Sequence, residues 1–169
     1  MQYDINTHIA TLYFDRNTST IEGRVTLKIL NKETNEVIHE VIRLQARSGQ
    51  NGHTNTSWTT GKSPIPFGKH ILWLDRTLQK GQWAIGKGIG EFYPISSSTA
   101  NSDVIVDPAN PKNIRRAVGL HPENAYAGSA GCIVLVADTQ TKKNDILKLR
   151  TELLLLHKAG FKNIPLVVL

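Results

Sequence analysis

From Ser19 to Leu30 apolar and polar positions alternate, with Ile21, Val25, Leu27 and Ile29 on one side and Glu22, Arg24, Thr26 and Lys28 on the other. Alternation with period two marks a strand with one buried face, because successive side chains point to opposite sides of a sheet. His8 to Phe14 has the same character and precedes it across the turn Asp15-Arg16-Asn17-Thr18. Val37 to Ala46 follows it across Asn31-Lys32-Glu33-Thr34-Asn35. Turn formers between apolar runs predict three consecutive antiparallel strands.

Residues 47–63 are polar, turn-forming and almost free of aliphatic side chains. They predict a loop beyond the roughly 12–15 residues above which compact domains use a loop for function or leave it disordered. Pro64 and Pro66 then hold the entry to the apolar run Lys69 to Leu74 extended. Gly81 to Pro94 and Ser96 to Asn113 read as irregular, the second broken by Val104-Ile105-Val106. Order returns at Ala117 to His121 and at Cys132 to Val136. Thr139 to Ala159 reads as a helix, opened by Asp138 or Thr139 as cap and closed by Gly160, and Ile164 to Leu169 reads as a last strand. No repeat or linker divides the chain. The expected fold class is mainly β, in a single domain over residues 1–169: N-terminal strands at 8–46, a loop-rich region at 47–136, and one substantial C-terminal helix with a last strand at 138–169.

At 169 residues such a domain buries roughly 68–70% of its unfolded surface, enough for a core without staples. One cysteine excludes an intrachain disulfide and multi-cysteine zinc, and the six histidines form no HExxH pair, so neither metal nor cofactor is expected. Twenty Lys and Arg against 14 Asp and Glu give +6, which suits an anionic partner: nucleic acid, a wall polymer or a membrane surface. Lys142, Lys143, Lys148 and Arg150 read as a solvated helix face. Without a recognition helix or aromatic-basic interleaving, nucleic acid is not the expected partner. No apolar run reaches the 18 residues or so of a membrane span. Met1-Gln2-Tyr3-Asp4 lacks a secretory layout, so the expectation is synthesis in the cytoplasm with any outside role needing another machine for delivery.

Several chemical patterns fail on inspection. Gly61-Lys62-Ser63 has Thr56 where a phosphate-binding loop needs glycine, and Gly86-Lys87-Gly88-Ile89-Gly90 has the wrong final spacing for a dinucleotide fingerprint. Ala127 replaces the first glycine of a nucleophile elbow. What remains is Leu120-His121-Pro122 followed by Gly128-Ser129-Ala130-Gly131-Cys132-Ile133. The lone cysteine opens an apolar strand after a stretch of minimal side-chain bulk, where a carbonyl can approach the sulfur and backbone N–H groups are free to hold an oxyanion. An unactivated thiol is only a few per cent ionised at neutral pH, so a nucleophilic Cys132 wants a base, and His121 supplies one. Taken alone, the pair also fits a buried apolar cysteine and a strand-end histidine.

Ser129-Ala130-Gly131-Cys132-Ile133, preceded by His121, resembles the S/T-x-G-C-[IV] signature of the YkuD-like L,D-transpeptidase superfamily. Ser48-Gly49 and Ser63-Pro64-Ile65-Pro66-Phe67-Gly68-Lys69-His70-Ile71 are similar to the "SG … GPIPxGxYxI" layout of its compact members among type VI secretion effectors and phage proteins. The parts occur in the family's order across residues 47–136. Ala130 departs from the histidine or asparagine of many wall enzymes. Ile133-Val134-Leu135 carries no arginine after the cysteine to hold a substrate carboxylate.

The resemblance implies a β-sandwich and a cysteine acyltransferase that needs no cofactor. Cys132 would attack the meso-diaminopimelate carbonyl of a peptidoglycan tetrapeptide stem and expel D-alanine, with His121 as base and the Gly131 and Cys132 N–H groups as oxyanion hole. Ser129 would orient the histidine or touch substrate, or merely make the turn. Gly128, Ala130 and Ser48 would line the substrate path. Arg115 and Arg116 either hold a stem carboxylate or form a solvated loop pair. Trp58, Trp73 and Trp83 either line a sugar groove or, for Trp73 at least, pack in the core. The implied role is an antibacterial effector or phage wall enzyme, acting at the cell wall after injection or lysis. Its implied partners are peptidoglycan stems, an immunity protein, and a secretion or phage apparatus. A transpeptidase-like module that binds without chemistry is the alternative.

Overall fold

A computed structural model describes residues 2–50, 52–54, 58, 62–76, 91–100, 104–123 and 131–169. The elements are β1 (His8–Arg16), β2 (Glu22–Asn31), β3 (Val37–Ser48), β4 (Gly68–Trp73), β5 (Tyr93–Ser96), β6 (Val104–Val106), β7 (Ile114–Arg116), β8 (Gly119–Pro122), β9 (Ile133–Leu135), α1 (Gln140–Lys158) and β10 (Asn163–Val168). Eight strands close into one barrel in the order β1-β10-β4-β5-β8-β9-β3-β2, with β6 and β7 as a separate ribbon. The expected mainly β chain with one C-terminal helix is what forms. Its strands close on themselves rather than stacking as two sheets of a sandwich, which leaves no open edge in the main sheet.

The predicted antiparallel trio is β1, β2 and β3. Their alternation delivers Ala10, Leu12 and Phe14 from β1 and Val25, Leu27 and Ile29 from β2 to a common interior, where all are buried. Closure depends on two parallel pairings, β1 with β10 and β8 with β9, that join segments far apart in sequence. The helix adds Ile146, Leu149, Leu153 and Leu156 to the same core. Thr139 caps it, its Oγ1 accepting from the Lys142 N–H at 3.2 Å, and Gly160 ends it at φ 99°, a left-handed turn that glycine makes without strain.

Three expectations change. β1 runs on through Arg16, predicted as a turn residue, and carries it inward to 5% exposure. β5 takes most of its residues from the ends of stretches that read as irregular, and β7 forms where Arg115 and Arg116 had a loop as one of their two readings, because neighbouring strands supply the pairing that their own pattern does not advertise. Arg150 does not sit on a solvated face: its Nε bonds buried Glu91 at 3.0 Å. Lys142 and Lys148 do stay at the surface, paired with Asp138 and Asp145.

Candidate active site

The site forms at the barrel end where β1 and β3 finish and β8 and β9 begin. β8 and β9 run parallel with Leu120 opposite Ile133 and His121 opposite Val134. One step earlier in the same register, Gly119 faces Cys132. Leu120, Ile133 and Leu135 point into the core, so Gly119, His121, Cys132 and Val134 share the outward face. Cys132 and His121 are therefore diagonal neighbours across one parallel pair. Strands about 4.8 Å apart and a rise of about 6.6 Å over two residues put their Cα atoms roughly 8 Å apart, a span the two side chains can bridge.

The surroundings set the protonation of both. His121 is buried, and its Nδ1–H donates to the Pro122 carbonyl at 2.9 Å, so the lone pair sits on Nε2. Phe92 stacks on the ring, with centroids 5.7 Å apart and planes at 23°. Burial holds the imidazole below the usual histidine range, with the Pro122 carbonyl opposing it. Cys132 is 7% exposed and its S–H donates to the Ala117 carbonyl at 3.5 Å. Burial pushes the thiol up to about 11, against the pull of the Gly119 and Cys132 backbone N–H groups that face the sulfur. Ala117 aims its carbonyl from a left-handed backbone at φ 54°, a conformation uncommon outside glycine. The resting pair is a neutral thiol and a neutral imidazole. Such a pair reacts by general-base catalysis, proton transfer accompanying attack, rather than as a preformed thiolate–imidazolium.

The remaining motif residues converge here as scaffold. Ser48 is wholly buried, its Oγ accepting from Ile65 N–H at 2.8 Å and donating to the Gly131 carbonyl at 3.4 Å, so it clamps three segments and does not line a substrate path. Gly49 packs so tightly on Pro64 that a Cβ would meet its nitrogen at 2.8 Å. Arg115, read as a substrate ligand or solvated loop residue, is 6% exposed on β7, with Nη1 donating to Ser63 O at 3.1 Å and Pro64 O at 2.7 Å. Arg116 is exposed on the opposite face of that strand. Gly131, at φ 103°, backs onto Arg115, where a Cβ would sit 3.1 Å from Nη1. Trp73 is a core residue bonded to Ser96, and Trp58 lies by Arg115 at 5.2 Å from ring to guanidinium. Gly128, Ser129, Ala130 and Trp83 lie outside the described residues.

Sequence reasoning missed Phe92, Gly119, Ala117 and Arg16. Only Arg16 carried a signal: it continues the inward series Ala10, Leu12, Phe14. Among the described residues no cluster of three or more His, Cys, Asp or Glu could hold a metal, and no helix is long and apolar enough to cross a membrane. A cavity of about 640 Å³ opens elsewhere, between α1 and β1 to β3, lined by charges of both signs including Asp15, Arg24, Arg43 and Asp145. Comparison with family models, with curated proteins and with solved structures found no match.

His70, buried in β4 with Nε2 on the Pro66 carbonyl at 2.9 Å, is also held below the usual histidine range by burial. On unfolding both His70 and His121 return to about 6.5. Below that pH the unfolded chain binds more protons than the folded one, so stability falls as pH drops, by at most about 1.4 kcal/mol per pH unit for each histidine. The urea midpoint is expected to be lower at pH 5.5 than at pH 7.5, with His70→Gln shrinking the difference. Equal midpoints would show that both rings protonate freely in the fold.

Proposed function

We propose that the protein is a cysteine acyltransferase of the L,D-transpeptidase type, acting on peptidoglycan tetrapeptide stems. The observation that supports it is the placement of Cys132 and His121 on one face of the parallel β8–β9 pair, with Ser48-Gly49, Ser63-Pro64-Ile65-Pro66 and Gly131 docked on one another behind the cysteine. Segments separated by more than eighty residues meet at the residue that precedes the cysteine.

In this reading the thiol turns from the Ala117 carbonyl toward His121 Nε2, which takes its proton as sulfur attacks the diaminopimelate carbonyl carbon. The backbone N–H groups of Gly131 and Cys132 hold the oxyanion. The C–N bond to D-alanine breaks, the imidazolium returns its proton to the leaving amine, and a thioester remains on Cys132. Water, a second stem's amine or a free D-amino acid completes hydrolysis, cross-linking or exchange. Each outcome removes or alters donor stems, which suits an antibacterial effector or a phage wall enzyme acting at the wall. A wall-directed protein with +6 charge also meets an anionic polymer.

A second reading, a non-catalytic module that docks on peptidoglycan or on a secretion or phage structure, draws on the burial and raised pKa of the Cys132 thiol. Incubation with purified tetrapeptide muropeptides separates the two. Intact-protein mass spectrometry should find a thioester adduct on Cys132, with D-alanine released. Muropeptide binding with no adduct and no product between pH 6 and 10 would leave only the docking module.

A further inference from the structure

The His121 ring is oriented by backbone, and backbone holds a ring only as firmly as its own peptide plane is held. The Pro122 carbonyl that accepts from Nδ1–H at 2.9 Å belongs to the peptide unit shared with Glu123, the residue that leaves β8. If that unit turned, the ring would lose the partner that keeps the proton on Nδ1 and the lone pair on Nε2. One restraint is the N–H of the same unit, which donates to the Leu135 carbonyl at 2.8 Å.

The Glu123 side chain adds two more. Its Oε1 accepts from Arg47 Nη1 at 2.9 Å, and its Oε2 accepts from the Ala137 N–H at 3.3 Å. Arg47 is fixed in turn from its other side, its Nε donating to Glu22 Oε1 at 2.9 Å while Gln45 Nε2 donates to Glu22 Oε2 at 3.1 Å. Strand register explains the reach: Glu22 lies opposite Arg47, Arg47 opposite Val134, and Val134 opposite His121. The guanidinium therefore crosses over β9 and ties β2 and β3 to the end of β8. Serving two carboxylates from two nitrogens of one planar group suits arginine, because the ammonium of lysine lacks that fork. The three side chains are 26% to 41% exposed, and ion pairs in that range contribute little to stability. Geometry is what such a bridge controls.

We propose that Arg47 and Glu123 are positioning residues that hold the Pro122–Glu123 peptide unit and, through it, fix His121 with Nδ1 protonated and Nε2 free. They act through the histidine and not on substrate, since both carboxylates that Arg47 engages belong to the chain itself. Only the use of Nε2 as the base toward Cys132 rests on the acyl-transfer reading. The fixed tautomer does not.

The test is ¹⁵N spectroscopy of the full chain labelled at histidine, at pH 8, with the His121 signals assigned by their absence in His121→Gln. The expected wild-type pattern is a protonated Nδ1 and an unprotonated Nε2. Arg47→Met and Glu123→Ala should each move those signals toward a mixture of the two tautomers at a nearly unchanged urea midpoint. Each should also lower kcat on tetrapeptide muropeptides by about tenfold or more, with KM little altered, because a ring in the other tautomer cannot take the thiol proton. Arg47→Lys should behave as Arg47→Met does. Glu22→Gln, which loosens Arg47 from its outer end, should give the same change at smaller size, and it decides the matter if the Glu123 variant fails to fold. A wild-type ring protonated at Nε2, His121 signals unchanged in the variants, or an Arg47→Lys chain indistinguishable from wild type would overturn the proposal. A tautomer shift in the variants of a chain that turns over no muropeptide would uphold the positioning and remove the acyl-transfer reading. Turnover with kcat and His121 signals both unchanged in the variants would do the reverse.

Discussion

Cys132→Ala is expected to abolish release of D-alanine from tetrapeptide stems, and His121→Gln to keep the thiol yet lose a factor of about 10² to 10⁴ in rate, the usual worth of a positioned general base. The reason lies in the resting protonation of the pair. With the thiol pushed up to about 11, roughly one molecule in 10⁴ carries a thiolate at pH 7, so the enzyme depends on Nε2 removing the proton during attack. His121 is held below the ordinary histidine range, so it is already a free base at neutral pH and the acid limb of the rate profile should lie below pH 6.5. In His121→Gln the residual rate should instead climb about tenfold per pH unit toward 11, following the thiolate alone. Product analysis by mass spectrometry from pH 5 to 10 reads both profiles. A His121→Gln variant with the wild-type rate and profile would remove the histidine from the mechanism. Slow alkylation of Cys132 at neutral pH is the expected behaviour of the resting site and does not argue against catalysis.

Gly119→Ala should destabilise the fold by about 1–3 kcal/mol, the usual cost of overpacking, and damage activity beyond what stability explains. An added Cβ at Gly119 would lie 2.3 to 2.7 Å from three atoms of the Phe92 ring, so the ring must swing aside. That ring is the one stacked on His121, and Gly119 stands opposite Cys132 in the strand register, so the displacement passes straight into the reacting pair. Phe92→Leu in the same background should restore part of the urea midpoint, since a smaller side chain leaves room for the methyl. Recovery of stability without recovery of turnover would show that Phe92 positions the histidine. Equal, additive losses in the single and double variants would show that the two positions do not communicate.

How far the chain could be read in advance depended on where each signal was stored. Alternation made β1, β2 and β3 legible, and Thr139 and Gly160 marked the two ends of the helix. The register that brings Cys132 beside His121 was less accessible. Two strands eleven residues apart invite the picture of ends joined by a loop, but a parallel pair instead aligns Cys132 with Gly119 and makes the histidine a diagonal neighbour. Ser48 carried a substrate role in the linear reading, and Arg115 either a substrate role or that of a solvated loop residue, because exposure has no local signature. Both are buried, holding the backbone behind Gly131.

The amino-acid sequence by itself determined the β-rich class, the helix and its caps, and the pairing of a lone cysteine behind small residues with an upstream histidine, since each rests on local periodicity or residue chemistry. Only the tertiary structure decided that the strands close into a barrel and that the resting thiol and imidazole are both neutral. It alone turned Arg16 inward and buried Arg115 against Gly131. Burial and strand register are properties of chain segments brought together from a distance, and no window of sequence contains them.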